Sequence, residues 1–162
     1  MKSYLTMAEP KSFESNIQIR IPFQYLFYIT PAQAQRTLVF CRNILKQKDI
    51  FDLSIVYTNN QKIQLLNKRF RRIDNPTDVL SFPMATIDPA TGRKNLGDIF
   101  ISVPKAKSQA REMKHNLKAE LAILLIHGYL HLNGFDHSTE QEKKKMWSVQ
   151  NQIFSALTAL HA

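Results

Sequence analysis

Apolar and polar positions alternate in "IQIRIPF", where Ile17, Ile19, Ile21 and Phe23 stand against Gln18 and Arg20. They alternate again in "FDLSIVYT", where Phe51, Leu53, Ile55 and Tyr57 share one side. A period of two is that of a half-buried strand. Elsewhere the period lengthens. "TPAQAQRTLVFCRNILKQ" offers Thr30 as N-cap, Pro31 at the first helical position and apolar residues at helical spacing. "NNQKIQLLNKRF" sets Ile63, Leu66 and Phe70 three and four apart, which predicts a second helix. "NPTDVLSFP" and "LGDIFIS" are β-branched and aromatic enough for strands. The intervening "MATIDPATGRKN" holds a proline, a glycine and several turn formers, so a surface loop is expected there. No proline follows Pro104 and no glycine follows Gly134, which predicts three closing helices over about 104–113, 117–133 and 139–160.

Strands mixed with helices, then a helical block, argue an α/β (α+β) domain with a small mixed sheet of about four strands. Such a sheet cannot bury both its faces, so helices are expected to cover it. Residues 1–15 read as a loose tail, and 16–162 as a single domain. The size of 162 residues, with 44% hydrophobic and 22% charged positions, suits one core. The lone Cys41 excludes an intramolecular disulfide or a multi-cysteine zinc site, so a cytoplasmic setting is the default. There is no apolar leader at the start, nor a run of the ~18 apolar residues a membrane span requires. A net charge of +9 points toward a polyanionic partner such as nucleic acid. The basic residues gather in "KRFRR" at 68–72 and "KKK" at 143–145. Each run is open to two readings, a contact with polyanion or a solvated helix face.

Three of the five histidines fall in "HGYLHLNGFDH": His127, His131 and His137, with Gly134 between the last two. Residues i and i+4 of a helix lie one above the other, so His127 and His131 can present two imidazoles to one metal ion. Gly134 can take the left-handed conformation that stops a helix and turns His137 back toward them. The spacing is that of the metzincin zinc site, placed here on a C-terminal helix. Three imidazoles suit zinc, one ion per chain, though nickel, copper or cobalt would accept the same ligands. Structural zinc normally has four protein ligands and catalytic zinc three with a water. Cys41 is remote and Asp136 adjoins a ligand, so an open coordination position is expected, where a bound water is activated near neutral pH.

Gly128 stands where a metzincin protease keeps its catalytic glutamate, and glycine cannot move a proton. Met146 reads as a helix residue rather than a Met-turn. Glycine within a helix costs about 1 kcal/mol relative to alanine, so Gly128 marks either close helix packing or the approach of something bulky. Asp136 is a candidate partner for a ligand histidine's second ring nitrogen, or a cap for the next helix. Glu120, seven residues before His127, shares its helix face and is a second candidate of that kind. Arg71, ahead of "NPTDVLSFP", is either a surface arginine or a phosphate grip with paired donors.

"LNKRFRRIDNPTDVLSFP", "LGDIFIS" and "HGYLHLNGFDH", in that order over roughly residues 50 to 150, resemble the YbeY family of bacterial endoribonucleases. The resemblance implies a metal-dependent single-strand endoribonuclease that matures the 3′ end of small-subunit ribosomal RNA and acts in ribosome quality control. It puts His127, His131 and His137 in the zinc-ligand places and Arg71 in that of the essential arginine. It also implies contact with a small-subunit ribosomal protein and the GTPase Era, and it makes Gly128 a clearance for the RNA backbone. Two alternatives stand beside it. One is a non-catalytic RNA-binding assembly factor with structural zinc; the other, more distant, is a metal-dependent hydrolase or protease of another substrate.

Overall fold

The computed structural model describes residues 15–159. They form strand β1 (Asn16–Arg20), helix α1 (Pro31–Ile44), β2 (Phe51–Thr58), α2 (Asn60–Arg71), β3 (Val79–Ile87), β4 (Lys94–Ser102), α3 (Val103–Glu112), α4 (Leu117–Leu132) and α5 (Glu140–Ala159). The expected tail lies outside these residues except for Ser15, whose hydroxyl accepts from the N–H of Phe51 and from Arg42. Residues 160–162, which the last expected helix was to include in part, also lie outside them.

Local rules account for the helix starts. Thr30 caps α1 by accepting from the Gln33 N–H while the Gln33 side chain returns to the Thr30 N–H, a capping box, with Pro31 next. Asn59, Ser102 and Asn116 cap α2, α3 and α4 in the same way, each through one side-chain oxygen. The expected first strand is shorter than its pattern. It ends at Arg20, and Pro22 leads into a short 3-10 turn over Phe23–Tyr25 that leaves Phe23 exposed. Pro22 has no N–H with which to continue a ladder.

The sheet runs β1-β2-β4-β3, parallel except for the β3–β4 pair. On its inner face Phe51, Leu53, Ile55 and Tyr57 of β2 are buried with Ile99 and Ile101 of β4. Against them lies α4, apolar on all sides and therefore central: it packs on β3, β4, α1, α3 and α5. The outer face departs from expectation. Among the described residues only α2 crosses it, against β3 and β4, while Asn16, Gln18, Arg20 and Ser54 line an open groove of about 600 Å³ on the rest. Their polar side chains let water cover that part of the sheet, so no further helix is needed.

Half of the segment expected to be a loop is strand. β3 continues to Ile87 and β4 begins at Lys94, with Thr86 paired to Asn95 and Ile87 to Lys94. Backbone ladders need no alternation of side chains, and these residues are exposed apart from the half-buried Asn95. Asp88 closes the short turn by accepting from Ala90 and Thr91.

Candidate metal centre

The three histidines converge. His127 and His131 stand one turn apart on α4, their Nε2 atoms 3.1 Å from each other. Gly134, at φ +84, stops the helix. The N–H of Phe135 then reaches the Leu130 carbonyl and that of Gly134 the His131 carbonyl, both at 3.1 Å. These two bonds are the Schellman pattern. The chain turned in this way brings the His137 ring to centroid distances of 5.6 Å from His127 and 5.0 Å from His131. One ligand nitrogen from each ring lies within 4.8 Å of the others.

The residues fit a metal ion. Two nitrogens bound to one tetrahedral zinc at about 2.0–2.1 Å stand about 3.3 Å apart, close to the separation of the two Nε2 atoms. Ligation needs neutral rings. Burial holds His127 below the ordinary histidine range, although its hydrogen bond to Gln150 pulls the other way. Burial also lowers His131, and the neighbouring His127 and His137 add to the effect.

Gln150, on α5, is a partner that sequence reasoning missed. Its Oε1 lies 3.1 Å from His127 Nδ1. Because that oxygen only accepts, Nδ1 carries the proton and Nε2 keeps its lone pair for the cluster. A glutamine partway along a polar helix carries no spacing signal toward a histidine of another helix.

Three expectations are corrected. Asp136 touches no ring nitrogen and does not cap α5. Its carboxylate accepts from the His137 main-chain N–H and from the Ser138 hydroxyl, each at 2.7 Å, and so shapes the turn that carries His137. The Ser138 bond first, then the His137 N–H, hold its carboxyl below the usual carboxylate range. The α5 cap is Thr139, in a capping box with Glu142. Glu120 shares a helix with His127, yet two turns separate them, about 10 Å along the axis. Its buried carboxylate pairs with His115 instead.

Gly128 is no clearance for substrate. A Cβ there would lie 2.8 Å from Ile99 Cγ2, 3.0 Å from Ser81 Oγ and 3.3 Å from Val79 Cγ2. The glycine lets α4 settle onto β3 and β4, and Ser81 donates to its carbonyl at 3.2 Å. Close packing is the reading that holds. Alanine would gain about 1 kcal/mol of helix propensity, but Ile99 is fully buried and β-branched, so it cannot swing aside. Gly128→Ala is expected to lose a net of about 1–2 kcal/mol in urea unfolding; an unchanged midpoint would contradict the packing.

Arg71, the last residue of α2, opens onto the same cleft as the histidines. With Ser81, Pro83, Phe135, His131 and His137 it lines a hollow of about 480 Å³. No sequence spacing could have placed it there. Of the "KKK" run, Lys145 lies 5.6 Å from the Phe135 ring centroid and Lys143 4.6 Å from that of Trp147, both held against aromatic faces. Met146 is a buried residue of α5, as expected, and forms no Met-turn. Among the described residues no helix is long and apolar enough to cross a membrane.

Comparison with known proteins agrees with this geometry. A family model described as Endoribonuclease YbeY matches residues 29–158. The chain is 43% identical over 108 residues to an Acholeplasma laidlawii protein named Endoribonuclease YbeY, covering 67% of this chain and 76% of that one. It is 41% identical over 136 residues to an onion yellows phytoplasma protein of the same name, covering 83% and 90%. A solution structure from Thermotoga maritima superposes with a TM-score of 0.61 at 26% identity, over 88% of this chain and 89% of the other.

Proposed function

The chain belongs to the Endoribonuclease YbeY family, and from that premise we propose that it is a zinc-dependent endoribonuclease cutting single-stranded ribosomal RNA. The proposed substrate site is the 3′ end of small-subunit RNA, and the reading includes a role in ribosome quality control. The observation that carries the proposal is the shared cleft: Arg71 and two of the three histidines line one hollow. His127, His131 and His137 are the proposed ligands. A divalent ion held there would act as a Lewis acid toward a phosphate oxygen and acidify a bound water.

The chain's own residues do the rest. Gln150 keeps the His127 proton on Nδ1, so that ring meets the cluster with a lone pair. The turn built by Gly134 and Asp136 orients His137. Arg71 offers a rigid fork of donors to non-bridging phosphate oxygens, where charge grows during cleavage. Surplus basic charge draws the polyanion in. Three protein ligands, rather than the four of a closed structural site, favour this reading over the assembly factor. A peptidase reading lacks a carboxylate at position 128, and the packing there leaves no room for one.

The family setting further suggests a cytoplasmic protein that meets a small-subunit ribosomal protein and the GTPase Era. Cys41 is compatible with such a compartment: buried in the core, its thiol is pushed up to about 12 and stays protonated.

The test is cleavage of an end-labelled small-subunit precursor RNA by wild type and by Arg71→Ala, with bound metal assayed in both. Arg71→Ala is expected to keep its metal and cut about 10²- to 10³-fold more slowly. Equal cleavage by the two proteins would remove Arg71 from the reaction, and RNA binding without any cleavage would favour the assembly factor. Product ends then separate two routes. A 5′-phosphate with a 3′-hydroxyl indicates attack by water, and a 2′,3′-cyclic phosphate indicates attack by the neighbouring ribose hydroxyl.

A further inference from the structure

The run "KRFRR" supplies Arg71 to the cleft and leaves its other residues without a part in the reaction. Phe70 is the unusual one. Helical periodicity assigns it to a buried face together with Ile63 and Leu66, yet Ile63 is fully buried while Phe70 is 56% exposed. The ring is nevertheless held. It leans on Phe82 of β3, with centroids 5.1 Å apart and planes at 60°. Phe82 in turn meets Phe100 of β4 edge-on at 5.8 Å. Three rings from three elements therefore fix one exposed aromatic surface.

Its location is informative. Phe70 immediately precedes Arg71, and Phe82 stands between Ser81 and Pro83; all three of these neighbours line the histidine cleft. Successive side chains of a strand point to opposite faces, and β3 is the edge of the sheet. The Phe70–Phe82 pair thus lies on the outer face, just around the free sheet edge from the candidate metal centre. The Arg69 guanidinium is 5.2 Å from the Phe70 centroid, and exposed Arg72 follows Arg71.

We propose, resting on the ribonuclease reading above, that Phe70 is a stacking platform for an unpaired base next to the scissile phosphate, with Arg69 and Arg72 holding the flanking phosphates. Surfaces that bind single strands combine a basic track with aromatic rings on which bases stack, and any base will do because each has a π-face. A base inside a duplex already has both faces covered by its neighbours. The platform therefore selects unpaired RNA without selecting sequence, and strand preference arises at Phe70 rather than at the metal ligands.

The experiment uses the metal-loaded protein and a short single-stranded RNA spanning one cleavage site, beside the same RNA with a single abasic nucleotide moved stepwise through that site. Wild type is compared with Phe70→Leu, Phe70→Ala and Phe70→Trp. Leucine keeps an apolar contact with Phe82 but has no flat face, so a loss in that variant is not a loss of folding. For wild type, an abasic nucleotide at one position is expected to raise Kd about 5- to 100-fold. Phe70→Leu and Phe70→Ala should weaken binding of the intact RNA by a similar factor and no longer respond to that abasic position, while Phe70→Trp restores the response. Pairing the same nucleotide with a complementary strand should abolish the difference between wild type and Phe70→Leu. The proposal is overturned if Phe70→Leu binds the intact RNA as wild type does, or if its loss is the same at every abasic position. If wild type itself neither binds nor cuts the single strand, the ribonuclease reading falls, and the platform with it.

Discussion

His131→Ala is expected to purify without its metal and to cut RNA at least about 10³-fold more slowly than wild type, the scale of a lost Lewis acid. His131 is the central one of the three proposed ligands. Its Nε2 faces that of His127 at 3.1 Å, and its ring lies nearer to His137 than the His127 ring does. Removing it leaves two histidines from opposite ends of the Gly134 turn with nothing between them. Alanine is the better helix former, so α4 should persist and circular dichroism should change little. Thermal stability should fall to that of chelated wild type, because an ion that binds only the folded state no longer adds its share. Arg71→Ala should behave in the opposite way, keeping both metal and stability. A His131→Ala protein with a full complement of metal would sink the three-histidine assignment, whatever its activity.

Gly97→Ala is expected to remove more than about 4 kcal/mol of stability, a large part of the whole for a domain of this size. Two independent penalties meet at this residue. Its φ of +118 lies where side chains are strained. A Cβ there would also stand 2.0 Å from the Phe82 carbonyl oxygen and 3.0 Å from the Met84 nitrogen, both backbone atoms. The strand cannot yield, since Gly97 is paired with Leu53 on one side and Pro83 on the other. The cause is a β-bulge: β2 advances from Asp52 to Leu53 while β4 advances from Asn95 to Gly97, leaving Leu96 as the extra residue. Gly92→Ala is the control. It has a φ of +67 but nothing within 4 Å of its would-be Cβ, so only the conformational cost of about 1 kcal/mol applies. Urea unfolding of the two variants should differ several-fold in lost stability, and similar losses would mean that the bulge is misplaced. The bulge also bears on function, because it fixes the stretch of β3 around Pro83 that borders the histidine cleft.

Where sequence reasoning succeeded, the interactions were short in range. Thr30 and Pro31 announce the start of α1, and the structure places both there, with Gln33 completing a capping box. Alternation in "FDLSIVYT" names the buried side of β2 residue by residue. The reading was less sound where a backbone ladder or a distant surface had the deciding role. The end of β3 and the start of β4 pair through main-chain groups while most of their side chains face water, so no periodicity reveals them. Glu120 has the helical spacing of a partner for His127, but the carboxylate pairs with the nearer His115. Phe70 fits the helical stripe of Ile63, although the sheet beneath α2 accepts only part of that stripe.

By itself, then, the sequence determined the local conformations and the ligand turn: His127 and His131 one helical turn apart, Gly134 ending the helix, and His137 folded back within eleven residues. Those features depend on backbone dihedral preferences and hydrogen bonds between near neighbours, which travel with the segment. Only the tertiary structure decided that Arg71 shares the cleft, that Gln150 holds the His127 proton, and that Gly128 seats α4 on the sheet rather than making room for RNA. Each of those facts depends on strand order and on which surfaces of distant elements pack together, a balance of many small contacts that no single stretch of the chain encodes.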